Sequence, residues 1–274
     1  MDDYDHAAEI VRNDDRDRYL ADLFAPEPVR KHLLALHAFN VEISRLRDVV
    51  REPGLGEIRL QFWRDAIHGD GAGHPVGRAL VATIESFGLP RATFDAIIEA
   101  RRFDLYNDPM PSLNDLEGYA GETSSLLFQL AAMILSGGGD PGTAEIAGHG
   151  GVAYALTGLM RSLPIHASRE QLYLPAELLS EHDVGEQSVF AGEETSGLRA
   201  ALAGLRSVAR RHLAAARSEA KYDPKLFPAF LPLALVEPEL DRMDRPDYRP
   251  FQLAGVSQLR RQWILWRAAR RRVF

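Results

Sequence analysis

No cysteine occurs anywhere in the sequence. That removes disulfides, thiolate metal sites and cysteine nucleophiles together, and it fits a reducing cytoplasm. Basic charge is not in excess either. The formal net charge is −7, which argues against a nucleic-acid partner held by phosphate neutralisation. No apolar run is long enough to cross a bilayer. The longest, Leu126 to Leu135, is interrupted by Gln129 and reads as a buried helix. The opening Met1-Asp2-Asp3-Tyr4-Asp5 is acidic, with neither the basic n-region nor the apolar h-region of a secretory signal. It also lacks the Arg-rich, acid-poor character of a transit peptide. Strand-like alternation, internal repeats and a dividing linker are all missing. So are the common catalytic signatures. The Gly137-to-Gly142 loop follows a helix and has no Gly-Lys-Ser/Thr ending, so it reads as a helix break. There is no His-Glu-x-x-His and no serine elbow. His68 and His74 flank a glycine loop and read as solvated histidines.

What is present is helical pattern and enough core material, with 46% apolar and 26% charged residues over 274 positions. From Val29, apolar residues recur at Leu33, Leu36, Phe39, Ile43, Leu46 and Val50, which puts one stripe on one helix face. Leu198, Ala201, Leu202, Leu205, Val208, Ala209 and Leu213 repeat the pattern. Stop and restart signals at Pro53-Gly54, Gly88-Leu89-Pro90 and Asn107-Asp108-Pro109 bound further helices. They predict helices over about 75–87, from Asn114 to Leu135, and from about Thr143 to Leu163. The expectation is an all-α chain, one domain over residues 1–274, with roughly ten to twelve helices.

Three segments stand out. The first runs from Ala35-Leu36-His37-Ala38-Phe39 through Ser44 to Asp48. The second is Arg59-Leu60-Gln61-Phe62-Trp63-Arg64. The third runs from Gly151 through Leu156-Thr157-Gly158-Leu159-Met160-Arg161-Ser162 to His166, with Tyr173-Leu174-Pro175 after it. In this order and spacing they resemble the squalene/phytoene synthases. There an Ala-Leu-x-Ala-Phe helix leads into Asp-x-x-x-Asp, and a second helix carries Leu-Thr-Asn-x-x-Arg-Asp-x-x-x-Asp before Tyr-Leu-Pro. The resemblance covers roughly residues 15 to 273. It implies an isoprenoid-synthase-type helical bundle with a central cavity between the helices carrying Ser44 and Ser162. In such a bundle, carboxylates at i and i+4 on two facing helices cage magnesium. The metal then helps a diphosphate to leave.

This sequence departs from that pattern. The four carboxylate positions are Ser44, Asp48, Ser162 and His166, and Gly158 stands where the family has Asn. Only Asp48 is an acid. Glu42 points to another face, and Asp104 is the one acid that could approach from elsewhere. The same departures resemble one branch of the family, that of the mitochondrial assembly factor for respiratory complex I and its bacterial relatives. The matching stretches are Ala38-Phe39-Asn40-Val41-Glu42, Leu159-Met160-Arg161, His166-Ala167-Ser168-Arg169 and Phe227-Pro228-Ala229-Phe230-Leu231-Pro232. That resemblance implies an assembly or lipid- and partner-binding role without a magnesium cofactor. The alternative is a working prenyltransferase, with Mg2+ on Asp48. Arg45, Arg64, Arg161 and Tyr173 are the candidate ligand contacts, because arginine matches phosphate geometry. A lipid or isoprenoid-like ligand in the cavity and a membrane-protein client are the expected partners.

The tail from Gln258 to Phe274 holds six arginines, no acid, and Trp263, Ile264 and Trp266. As a helix it puts Leu259, Trp263 and Trp266 on one side. Such a face suits weak, salt-sensitive contact with an anionic membrane, and hence a cytoplasmic protein peripheral to the inner face of that membrane. The competing expectation buries both tryptophans against Phe227 and Phe230.

Overall fold

A computed structural model of the chain describes residues 2–50, 52–69, 71, 73–219, 221–253 and 255–274, and every regular element among them is helical. The acidic start is itself a helix, α1 (Asp3–Asp14). The Asp2 carboxylate accepts from the Asp5 backbone at 2.7 Å, and Asp5 accepts from the Asp2 backbone at 3.1 Å. Both acids therefore sit at the positive end of the helix dipole. Asp15 ends α1 and caps α2 (Arg16–Asp22), accepting from the Arg18 backbone.

Helix α3 (Glu27–Ser44) starts with Pro28 in its first turn and is buried at nearly every residue from His32 to Val41, so it runs through the middle of the molecule. The sequence pattern continues to Val50, but the helix breaks at Arg45 and resumes as α4 (Leu46–Val49). Next come α5 (Pro53–His68), α6 (Pro75–Phe87), closed by Gly88 at φ 59°, and α7 (Arg91–Ala100). A 3-10 turn, Arg101–Leu105, follows. The single helix expected from Asn114 to Leu135 is α8 (Leu113–Ala120) and α9 (Leu126–Ser136), joined by a π turn at Gly121–Ser125. Helix α10 (Ala144–Arg161) stops at Ser162, and α11 (Leu163–Ala167) follows with Pro164 in its first turn. The rest is α12 (Ala176–Glu181), α13 (Glu186–Phe190), α14 (Ser196–Ser218), α15 (Phe227–Phe230), α16 (Val236–Met243) and α17 (Gln258–Arg271). There are thus more helical segments than expected, because several are only four to six residues long.

Buried side chains form one continuous cluster from Ala7 to Phe274. The α14 stripe foreseen from periodicity, Leu198 to Leu213, is its buried face. Helix α10 packs across the middle because it has glycine where neighbours come close. A Cβ on Gly150 would lie 2.6 Å from Leu233, and one on Gly151 would lie 2.4 Å from the Ser125 Cα. These approaches fix the π turn, and with it one wall of the cleft.

Candidate functional site: an arginine-lined cleft

The cleft has a volume of about 780 Å³ and opens where α1, α2, α3, α10 and the start of α17 meet. Ser44 at the end of α3 and Ser162 at the end of α10 both line it, so the cavity lies between the two helices that the sequence indicates. His166, Arg45 and Arg161 line it as well. Gly158 has nothing within 4 Å of where a Cβ would stand, which leaves that stretch of wall open.

Three of the anticipated residues are elsewhere. Asp48, on α4 beyond the break at Arg45, is exposed, is absent from the cleft lining and is ion-paired to Arg169. Arg64 is ion-paired to Glu99 at the surface between α5 and α7 and does not reach the cavity. The Tyr173 hydroxyl donates to the buried Asp104 carboxylate at 2.7 Å, as does the Tyr119 hydroxyl, and Arg101 adds a contact at 3.1 Å. Tyr173 is thereby a support behind the wall, and burial pushes its phenol well above the ordinary value. Its ring packs on His166 at 4.6 Å. Burial drives His166 down to about 4, so the imidazole is neutral near pH 7. His74 is not simply solvated: its ring packs at 5.1 Å on the buried Trp63.

The wall also contains residues that motif spacing did not mark. Asp14, Asp15 and Asp17, at the α1–α2 junction, line it. Each is already paired: Asp14 to Arg45 at 2.6 Å, Asp15 to Arg18 at 2.7 Å, and Asp17 to Arg261. Arg261 also reaches the buried Glu239, and Arg161 stands 3.8 Å from that carboxylate. Two polar atoms on the wall have no protein partner, Ser124 Oγ and Arg101 Nε. Ser124 is only 5% exposed and is delivered by the π turn, a kind of helix insertion common at functional sites. The sequence signal for it is the polar Glu122-Thr123-Ser124-Ser125 run directly before the apolar stretch Leu126 to Leu135.

The donor set does not fit magnesium. A hard dication needs several oxygens free of other cations. Six arginines and three aspartates line the cleft, with Asp104 and Glu239 directly behind Arg101 and Arg261. The wall therefore carries no acidic excess. Among the described residues no three histidine, aspartate or glutamate side chains come together as a metal cage.

The model of the squalene/phytoene synthase family matches residues 11–267. The chain belongs to that family. The Homo sapiens protein named NADH dehydrogenase (ubiquinone) complex I, assembly factor 6, is 32% identical over 251 residues, covering 90% of this chain and 75% of that one. The presqualene diphosphate synthase of Rhodopseudomonas palustris is 30% identical over 214 residues, covering 76% of this chain and 75% of the enzyme. Among solved structures, a dehydrosqualene synthase in complex with ligand superposes with TM-score 0.81 at 18% identity, over 98% of this chain and 96% of that one. This squalene/phytoene synthase fold is therefore kept around a cleft that Ser44, Ser162 and His166 line and Asp48 does not. No helix among the described residues is long and apolar enough to cross a membrane.

Proposed function

We propose that the chain is a non-catalytic member of the squalene/phytoene synthase family. It works without a metal cofactor, as an assembly factor for a complex I-type, membrane-embedded client. It acts from the cytoplasm beside the inner face of the membrane. The observation that carries this reading is the fate of the metal positions. Three are Ser44, Ser162 and His166, and the fourth, Asp48, does not line the cleft and is paired to Arg169. Relatives named as complex I assembly factors, at 31% identity over 90% of the chain in Rattus norvegicus, support the same role. The partly exposed Arg161 on the cleft wall supports a cleft that holds an anionic lipid- or isoprenoid-like molecule through arginine.

Two measurements on the full chain test this. Incubation with farnesyl or geranylgeranyl diphosphate and magnesium yields no condensed prenyl product. Deleting the gene from its host lowers the amount of assembled complex I on native gels, and the Asp48→Ala chain restores it as well as the unaltered one does. Turnover of either diphosphate, or rescue that requires Asp48, overturns the reading.

A further inference from the structure

We infer that the outer face of α17 is a docking surface for an anionic lipid bilayer. This deepens the proposed role by saying where such a factor would stand, and it rests on different atoms from the cleft.

The helix is not a frayed end. Its inner face is Arg261, Leu265 and Ala268, all buried. Arg261 is tied to Asp17 and Glu239, and the terminal Phe274 is buried beside Phe227, its backbone oxygen accepting from Arg217 at 2.7 Å. With one face pinned, the 3.6-residue turn fixes what the opposite face presents. That stripe is Leu259, Trp263, Trp266 and Arg270, spaced by four, three and four. Leu259 is 80% exposed, Trp263 57% and Trp266 42%. The two indoles stack at 5.0 Å, and the Arg270 guanidinium lies 4.9 Å from the Trp266 ring centre, so the patch is organised before anything binds. Arg260, Arg267 and Arg271 form a second exposed stripe beside it. None of these four arginines has an ion-pair partner among the described residues, and no acid occurs from 258 to 274.

Charge and shape choose the occupant. Indole rings favour the headgroup region of a bilayer. A helix lying in that plane needs an apolar stripe flanked by cations. Exposed arginines on long side chains can follow mobile lipid phosphates, whereas a protein groove would need acids matched to each one. The net charge of −7 for the whole chain despite this basic tail puts the acidic surface elsewhere and orients the molecule on a negative membrane.

The test uses the full chain with vesicles of phosphatidylcholine alone or mixed with phosphatidylglycerol. Expected is cosedimentation with the mixed vesicles only, weakened when salt shortens the Debye length from about 10 Å to about 3 Å. Indole emission shifts to the blue on binding, because Trp63 is already buried and only Trp263 and Trp266 change environment. Trp263→Ser with Trp266→Ser, and separately Arg260→Gln with Arg267→Gln and Arg271→Gln, each weaken binding about tenfold or more. All five positions are exposed, so both variants keep the helical circular-dichroism signal. Negligible binding to both vesicle types at low salt overturns the inference, as does binding that neither variant changes. Prenyl product formation would defeat the non-catalytic reading and leave this one standing.

Discussion

A carboxylate facing a guanidinium is already neutralised, so Asp48 beside Arg169 has little left to offer a dication. The same holds for Asp14 with Arg45, Asp15 with Arg18 and Asp17 with Arg261. At His166, on the cleft wall, the chemistry differs more directly. His166 is an imidazole, and burial holds it neutral, with its value driven down to about 4. The unfolded chain takes up that proton near pH 6.5. As pH falls, unfolded molecules are therefore protonated first. The stability tied to this group is fully present above about pH 6.5 and is lost between there and about pH 4. By pH 5 the loss is about 2 kcal/mol. His166→Gln should remove that component. Urea unfolding at pH 7 and pH 5 should then show a stability difference about 2 kcal/mol smaller in the variant than in the parent chain. An equal difference in both would mean that His166 is protonated without penalty.

Helices were legible wherever pattern and punctuation agreed. Helix α6 begins at Pro75 and ends against Gly88 as expected, and the α14 stripe is buried residue for residue. The end of α10 at Ser162 falls close to the expected stop near Leu163, where Pro164 has no N–H to continue the helix; the break at Arg45 was not legible. There the apolar pattern runs through Leu46 to Val50 without interruption, and no proline or glycine marks the break. The i, i+4 argument for Ser44 and Asp48 assumed one continuous helix, and the break removes their shared face. The orientation of α17 was open for a related reason. Hydrophobicity alone would bury the indole stripe, but Asp17 and Glu239 draw Arg261 inward and leave Trp263 and Trp266 outside. The π turn at Gly121–Ser125 is likewise a tertiary effect, held where α10 offers Gly151. Gly151→Ala would place a methyl 2.5 Å from the Ser125 backbone nitrogen. It should destabilise by about 1–3 kcal/mol. Gly158→Ala, also inside α10 but facing open space, should be neutral or stabilising by up to about 1 kcal/mol. Thermal unfolding of the two variants compares them directly, and equal midpoints would show that the π turn yields without strain.

For the molecule as a whole, the superposition at TM-score 0.81 on a dehydrosqualene synthase shows that the fold is shared along almost the entire chain. Motif order carried the family and the fold, because it reports which helices face one another. It could not report which charges would be answered by arginine from distant parts of the chain, such as Arg169 for Asp48 or Arg261 for Asp17. Returning acids to the motif is therefore not expected to return the chemistry. In the variant Ser44→Asp, Ser162→Asp, His166→Asp, the new carboxylates enter a wall that already holds Arg45, Arg161 and Arg101. They are positioned to pair with those cations first. Asp48 is still tied to Arg169. Removing that guanidinium as well, with Arg169→Gln, frees one more acid, so calorimetry should register stronger magnesium binding in the fourfold variant than in the threefold one. Diphosphate departure needs electrostatics held in place by surrounding groups. Neither the break at Arg45 nor the open wall at Gly158 is repaired by these changes. Both variants should therefore leave geranylgeranyl diphosphate unconsumed, and phytoene-type product from the threefold variant alone would show that the arginine wall never opposed the metal.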